Sequence, residues 1–270
     1  MYATDFQFDG QLASSYGLII CSFDGGGGVE SVRNGADVNL TTSRVPNSKV
    51  WNHVNAQYDE VLTVTFQVAK LMCDDNVQDP YFSVQEQRAI NRWLNRLDNY
   101  YPFQIIQDGF GNIYFNAQIN VNKIEFGGRV IGFELTVTTD KAYGYFEKQT
   151  LKFPLDKNGT YSFVDLSDDI GTVDIVMKIT CNESGDLKLT NSLTQQTMFV
   201  DDCSAGEVII INTGKRKIIS SRRTNAEMLK NFNFTWLNIG NTKDDKTNSL
   251  TSTLSVGIEL VYYPVCKISF

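Results

Sequence analysis

One stretch of the chain has the hydrophobic periodicity of an amphipathic helix. Ser83 followed by Glu86 fits a capping box, and Pro102 cannot continue a helix, so we predict a helix over residues 83–100. Apolar residues recur along it at helical spacing and form one stripe. The residues of this stripe that we expect to pack in the core against a sheet are Ile90, Trp93, Leu94 and Leu97.

Most of the remaining chain alternates apolar and polar residues with period two, which is typical of strands with one buried face. Arg129–Val137 shows the alternation most clearly. Two other alternating runs, Ala36–Ser43 and Val61–Val68, predict the strands of one long hairpin, with the polar residues 44–59 as the connection between them.

From Glu147 onward the pattern changes to many short strands separated by turn signals, which favours a β-sandwich. We therefore predict a mainly β protein of two domains. Residues 1–146 would form a β-sandwich or barrel-like domain with one α-helix, and residues 147–270 a second β-sandwich. Within the second domain we predict a strand at Asn231–Trp236 and a polar loop at Asn241–Ser252.

The net charge of the chain and its charged segments argue against nucleic-acid and phosphate binding. The chain of 270 residues has a formal net charge of −7, which argues against a protein that grips nucleic acid through its phosphates. The basic run Lys215–Lys217 favours a solvated hairpin tip over a phosphate-binding patch. The glycine run Gly25–Gly28 lacks the Gly-Lys-Ser or Gly-Lys-Thr of a phosphate-binding loop, so we predict a mobile loop or hairpin there.

Five cysteines are widely spaced and include no Cys-x-x-Cys pair, so we expect buried free thiols in a reducing cytoplasm rather than a zinc or thioredoxin-type site. The N-terminus has no basic region followed by an apolar run. We therefore expect no signal peptide and no membrane span, and a protein made in the cytosol.

Candidate catalytic chemistry is sparse. His53 is the only histidine, and it falls in the polar connection, where we interpret it as a surface residue. No nucleophile elbow or kinase motif is present, and no carboxylate pair is placed as in a glycosidase. We expect no catalytic residues, no cofactor and no metal.

The order of the segments is more informative than any one of them. The segments that carry a resemblance are Phe6–Gly10, Tyr16–Ile20, Val61–Lys70, Phe82–Leu94, Arg129–Val137, Gly185–Asn191 and Gly206–Asn212. In this order they resemble the distal tail proteins (Dit) of long-tailed siphophages, over essentially the whole chain.

The resemblance implies a structural virion protein at the tail tip. Its N-terminal domain would form a homo-hexameric ring, with a galectin-like sandwich at the periphery. The ring would join the major tail tube protein to a Tal-like tail-tip hub protein, and in some members the sandwich also holds a receptor-binding protein. DNA would pass through the channel without specific binding. Candidates for the interface between subunits, all in the predicted hairpin, are Val38, Leu40, Leu62, Val64 and Phe66.

Two other function classes remain open on the residues alone. A carbohydrate-binding module could use Trp236, Tyr262 or Tyr263 as a stacking platform for host glycans, although core packing is the more ordinary role of aromatic residues on alternating strands. A tail-associated hydrolase would need a convergent set of acid, base or nucleophile, and the sequence offers none.

Overall fold

The structure, a computed structural model, describes residues 3–23, 37–58, 61–70, 79–109 and 111–268. The glycine run Gly25–Gly28 and Cys73 lie outside them. The chain divides into two compact units. Unit 1 contains the described residues up to Tyr145 together with Lys267 and Ile268, and unit 2 is Phe146–Cys266. Both are built mainly of strands, which confirms the predicted fold class.

Seven strands of unit 1 form one antiparallel sheet in the order β2-β1-β7-β8-β9-β6-β3, and β4 and β5 pair only with each other among the described residues. A short 3-10 helix spans Ala13–Tyr16. The elements are β1 (Asp5–Phe8), β2 (Gln11–Leu12), β3 (Leu18–Cys21), β4 (Val38–Ser43), β5 (Asn52–Tyr58), β6 (Thr63–Lys70), α1 (Val84–Leu94), β7 (Tyr101–Ile106), β8 (Phe115–Phe126), β9 (Arg129–Thr139) and β10 (Gly144–Tyr145).

Helix α1 begins as predicted but is shorter. The capping box is present, since the Glu86 amide donates to the Ser83 side chain and the Ser83 amide donates to the Glu86 carboxylate. The predicted end at residue 100 is wrong, because the helix ends at Leu94. The following segment contains Asn99, whose side chain accepts a hydrogen bond from the next backbone amide and so competes with helical bonding. Pro102 lies in strand β7 instead of stopping a helix.

Unit 2 is a β-sandwich whose two main sheets share one core. A five-stranded sheet has the order β11-β21-β14-β17-β18, a four-stranded sheet has the order β12-β20-β15-β16, and β13 pairs with β19. The elements are β11 (Gln149–Leu155), β12 (Thr160–Val164), β13 (Gly171–Val173), β14 (Ile175–Cys181), β15 (Gly185–Asn191), β16 (Gln196–Cys203), β17 (Val208–Asn212), β18 (Lys217–Ser220), α2 (Asn225–Lys230), β19 (Ile239–Asn241), β20 (Thr247–Ser252), β21 (Val256–Tyr262) and β22 (Val265–Cys266).

Two sequence predictions in unit 2 are wrong. Asn231–Trp236 is not a strand: it is an irregular segment that follows α2, a short helix with its own capping box. Asn241–Ser252 is not a loop, because β20 occupies its second half. The sequence looks like a loop because it is polar, but Asn248 and Ser252 are fully buried and hydrogen-bonded inside the sandwich.

Candidate functional site

Trp93 is the centre of the unit 1 core. Its indole N–H donates to the Phe8 carbonyl at 3.0 Å, so the one polar atom of the ring is satisfied. The indole stacks on Phe6 at 5.7 Å and on Tyr16 at 4.2 Å between ring centroids. One side chain of α1 thereby holds the N-terminal strand and the 3-10 turn onto the helix.

The other residues of the predicted stripe divide at the end of the helix. Ile90 and Leu94 are buried with Trp93, whereas Leu97 is 86% exposed, so its assignment to the core is wrong. The reason is that the chain has left the helix. The neighbouring Arg96 instead pairs with Asp9 at 2.6 Å and lies over the ring of Tyr101 at 4.7 Å.

The predicted hairpin has a different second strand. β4 pairs with β5, which we had interpreted as the polar connection, in a register that places Val38 opposite Tyr58. The turn between them has Asn47 at a φ of +67° after Pro46, closed by a bond from the Ser48 amide to the Val45 carbonyl. Pro followed by Asn is a known signal for such a turn and could have revealed this hairpin in the sequence.

The five interface candidates therefore belong to two different places. Val38 and Leu40 lie exposed on β4. Leu62 is buried, and its amide donates to the Thr139 side chain at 3.0 Å. Val64 and Phe66 are partly buried on β6, which lies between β3 and β9 in the large sheet. The prediction that these residues share one hairpin is wrong, because β6 finds its partners inside the sheet.

Every residue of β4 and of β5 is exposed. We call Val38–Tyr58 the exposed hairpin. Tyr58 is in edge-to-face contact with Tyr143 at 4.9 Å, which ties the base of the hairpin to unit 1. Side chains of the hairpin that are at least half exposed although they are apolar are Val38, Leu40, Val45, Val50, Trp51 and Val54. Exposed apolar residues gathered on one hairpin favour an interaction site in a soluble protein.

The charged groups next to α1 are paired with one another. Lys70 contacts Glu86 at 2.8 Å and donates to the Tyr81 carbonyl at 2.7 Å. Burial acts to raise the pKa of Glu86, but hydrogen bonds from Lys70 and Ser83 outweigh it and hold that pKa below its usual value. Lys70 and Arg129, two of the cations that line the groove beside α1, are therefore each paired with a carboxylate, since Arg129 contacts Asp79 at 3.3 Å.

Unit 2 carries a buried ion pair that the sequence did not indicate. Glu207, 1% exposed, accepts a hydrogen bond from the Arg223 guanidinium at 2.7 Å and a short one from Ser220. Burial works to raise the pKa of Glu207, yet the bonds from Ser220 and Ser204 and the guanidinium together lower it. The pair is structural in character, because both groups are enclosed by the sandwich.

The aromatic residues proposed as a sugar platform are not arranged as one. Tyr262 is buried, and burial together with Asp165 raises its pKa to about 12. Trp236 packs edge-to-face on Phe232 at 5.0 Å, as core packing requires. Tyr263 is half exposed. The stacking-platform hypothesis is therefore wrong for Tyr262.

The remaining candidates lie at the surface. His53 is exposed on β5, and Lys215–Lys217 is exposed where β17 turns into β18, as predicted. Within the described ranges, no three His, Cys, Asp or Glu side chains are grouped so that they could hold a metal ion. In the same part of the chain, no helix is both long and apolar enough to cross a bilayer.

Comparison with known families decides the class of the protein. The family described as phage tail protein N-terminal domain matches residues 1–141, more than half of the chain. The chain is a phage tail protein. The family described as phage tail C-terminal domain matches residues 143–262 of the same tail protein. No curated protein sequence matches it.

Solved structures define the fold of the tail protein more closely. The crystal structure of the SPP1 Dit protein, described there as a paradigm of the hub adsorption apparatus in phages that infect Gram-positive bacteria, matches with a TM-score of 0.64 at 10% identity, over 96% of this chain and 98% of that one. A chain of the phage P2 baseplate in its activated conformation with Ca matches with a TM-score of 0.53 at 10% identity, over the full length of both. The tail protein thus has the Dit fold, as its segment order indicates.

Proposed function

We propose that the tail protein is a non-catalytic virion component that forms a ring at the tail tip, between the tail tube and the tail-tip hub. Residues 1–146 would build the ring, residues 147–270 would lie at its periphery, and DNA would pass through the central channel. The observation that carries the proposal is the exposed hairpin of unit 1, because its own chain leaves so much apolar surface uncovered.

We infer that a second copy of the chain binds to the exposed hairpin and covers it. A two-stranded hairpin alone is only marginally stable in water, so a hairpin with both strands exposed gains most from a neighbour that covers it. Homo-oligomers close by cyclic symmetry, and a head-to-tail contact that uses one hairpin per copy generates a ring when the rotation closes. Six copies are the number that the resemblance to distal tail proteins implies.

Charge supports a conduit rather than a nucleic-acid binder. A net charge of −7 repels DNA phosphates, so DNA could move through a lumen without adhering to it. The paired state of Lys70 supports the same conclusion for the groove beside α1.

Partners above and below the ring complete the proposal. The major tail tube protein would bind one face and a Tal-like hub protein the other, and a receptor-binding protein could attach to unit 2. The structural neighbours support this setting, since one is described as part of a hub adsorption apparatus and the other belongs to a baseplate.

Mass photometry over a concentration series, with negative-stain images of the same samples, tests the ring. We expect the intact chain to form one closed species of six copies. The fraction of the protein in this species should increase with concentration. The double variant Leu40→Glu/Trp51→Glu adds charge to two exposed hairpin positions and should remain monomeric, with the melting temperature of the dilute wild-type monomer.

The matched control is the double variant Val164→Glu/Ile170→Glu, which adds the same two charges at 55% and 62% exposed positions of unit 2 and should leave the ring intact. A ring that survives the hairpin variant but fails with this control would reverse the assignment of the two units. If no variant or concentration gives a closed species, even with the tube protein present, the ring proposal is wrong.

A further inference from the structure

Two cysteines of unit 2 lie together at one end of the sandwich. Cys181 ends β14 in the five-stranded sheet, and Cys203 ends β16 in the four-stranded sheet. The turn between β16 and β17 ties the two ends together, because the Gly206 amide donates to the Cys181 carbonyl at 2.7 Å and the Cys181 amide donates to the Glu207 carbonyl at 2.9 Å. The side chains of both cysteines are buried.

The two thiols contact each other. Their interaction raises the pKa of Cys181 and contributes to a lowered pKa of Cys203, while the Cys203 thiol donates to the Val200 carbonyl at 3.5 Å. Both are free thiols in this structure. A disulfide can form without backbone movement only where two cysteines already face each other at short range. Cys181 and Cys203 are candidates for such a bond, because backbone hydrogen bonds hold the ends of their strands together and their side chains interact.

The surroundings of Cys203 favour reaction at its sulfur. The Arg223 guanidinium lies 3.8 Å from that sulfur and is oriented by Glu207. The hydrogen bond with Cys181, together with this cation, lowers the pKa of Cys203 although burial and the Glu207 charge oppose it. Reactive cysteines have this kind of electropositive neighbour, and redox-sensitive ones also have a second thiol in reach. Because Cys203 is buried, an oxidant reaches its sulfur only when this end of the sandwich opens locally.

We propose that Cys181 and Cys203 form a disulfide across the sandwich when the tail protein passes from the reducing cytoplasm to an oxidising exterior. The bond would connect the two sheets covalently at the end where β14 and β16 terminate. The disulfide would form when the virion is released, because a tail protein is assembled inside the cell and then remains outside it.

The chemistry balances with a low-molecular-weight disulfide such as oxidised glutathione as the oxidant. The Cys203 thiolate attacks one sulfur of the small disulfide, a mixed disulfide forms, and one small thiolate leaves. Cys181 then loses its proton, attacks the Cys203 sulfur and expels the second small thiolate. Two cysteine thiols are oxidised by two electrons, one small disulfide is reduced to two thiols, and the two protons go to the leaving thiolates.

Peptide mapping tests the bond in the full-length protein. The reduced protein is incubated with oxidised glutathione, quenched with iodoacetamide in denaturant, and digested with trypsin. Cleavage after Lys188 separates the cysteines, so the bond links peptide Ile179–Lys188 to peptide Leu189–Lys215. We expect this linked pair, loss of alkylation at both cysteines, and continued alkylation at Cys21. Stable glutathione adducts, full alkylation, or a bond from Cys203 to another cysteine would overturn the proposal.

Stability provides a second measurement. Oxidation should raise the melting temperature of unit 2 by roughly 5–15 °C, since the bond closes a loop of moderate length in the unfolded chain. The rise should be absent in Cys181→Ser and unchanged in the control Cys21→Ser. An equal rise in both variants would mean that another cysteine pair is responsible.

The role of Arg223 is tested through the rate and its pH profile. Arg223→Met should slow disulfide formation near neutral pH, and raising the pH should recover the rate because more of Cys203 is then thiolate. Arg223→Lys keeps the cation and should stay closer to the wild-type rate. If Arg223→Met oxidises as fast as wild type at every pH while remaining folded, Arg223 does not activate Cys203.

Discussion

The two units differ in what they bury and in what they leave on the surface. Unit 1 has a core of aromatic rings gathered around Trp93, and it leaves an apolar hairpin exposed. Unit 2 has a core of aliphatic side chains, methionines and thiols between two sheets, with polar networks enclosed at its ends. It also exposes apolar residues, among them Val164, Leu166 and Ile170, but each of its strands has at least one residue that is not exposed, unlike β4 and β5.

The difference indicates where each unit obtains its stability. Unit 2 completes its interior with its own chain, so it should behave in the same way alone and in an assembly. Unit 1 completes its core but leaves the exposed hairpin unsupported, so its stability should depend on concentration wherever copies associate. Four predictions test this contrast, in order of decreasing effect on the free energy of unfolding.

Removal of the central ring of unit 1 should have the largest effect. Trp93→Ala deletes a buried side chain that stacks on Phe6 and Tyr16, and it should lower the free energy of unfolding of unit 1 by about 3–5 kcal/mol. Urea unfolding followed by circular dichroism measures this. Leu97→Ala is the control on the same segment and should change stability by less than about 0.5 kcal/mol. Equal losses in both variants would contradict the structure of this region.

Breaking the buried ion pair should have the largest effect in unit 2. Arg223→Met leaves the Glu207 carboxylate buried without its cation and should cost about 3 kcal/mol near neutral pH. The control is Lys152→Met, which removes the exposed partner of Glu259 and should have little effect. A loss in unit 1 instead of unit 2 would show that the units are not independent.

The pH dependence of this pair has a definite sign. The pKa of Glu207 is lower in the folded protein, so its contribution is fully present above the unfolded value of about 4.3 and is lost as the pH falls through the folded value. The difference between wild type and Arg223→Met should therefore shrink in acid. Chemical unfolding at neutral pH and near pH 3 measures it, and a constant difference would exclude this origin.

The buried amide network of the sandwich should come next. Asn248 accepts hydrogen bonds from the Gly240 amide at 2.7 Å and from the Asn191 side chain at 2.8 Å. Asn248→Ala leaves these donors buried and unpaired and should cost about 2 kcal/mol in a thermal or urea melt. Ser249→Ala, one residue along the same strand at an exposed pair with Ser162, is the control and should be nearly neutral. Equal losses of stability in the two variants would mean that the buried hydrogen bonds of Asn248 contribute no more than the exposed pair of Ser249.

The two capping boxes allow the smallest and most direct comparison. Ser83→Ala and Thr224→Ala each remove the side-chain acceptor at the start of one helix, and each should cost about 1 kcal/mol. Domain-resolved hydrogen exchange should place the first loss in unit 1 and the second in unit 2. If either substitution loosened both units equally, the description of two self-contained bodies would be wrong.

The sequence predicted the elements that depend on residues close together in the chain, such as a helix cap or a tight turn. The start of α1 followed from Ser83 and Glu86, and the hairpin of β17 and β18 followed from a turn between two apolar runs. The pairing of β4 did not follow, because alternation is the same in any strand and does not name a partner. β20 was missed because a polar strand such as Thr247–Ser252 can be buried when its side chains bond one another.

The candidate interface residues also show that the sequence alone does not identify contacts between distant residues. Val38 and Leu40 are exposed, so their role at an interface stays a prediction, whereas Leu62, assigned to the same hairpin, is buried beside the large sheet. The Glu207–Arg223 pair joins the turn before β17 to the segment after β18, and the Cys181–Cys203 contact joins the ends of β14 and β16. No spacing in the sequence reports such contacts.

The pairing of β1 with β7 also has a consequence for how unit 1 folds. The register joins Asp5 to Ile106, so β1 can pair locally with the two-residue strand β2 but has no partner in the rest of the sheet until about a hundred further residues have been synthesised. β8 and β9 form a long ladder across the two-residue turn Gly127–Gly128, and such local pairing closes with little loss of chain entropy. We therefore expect this ladder to nucleate unit 1 and the N-terminal strand to dock last, which makes the first residues of the chain the slowest to acquire protection in pulse-labelling experiments.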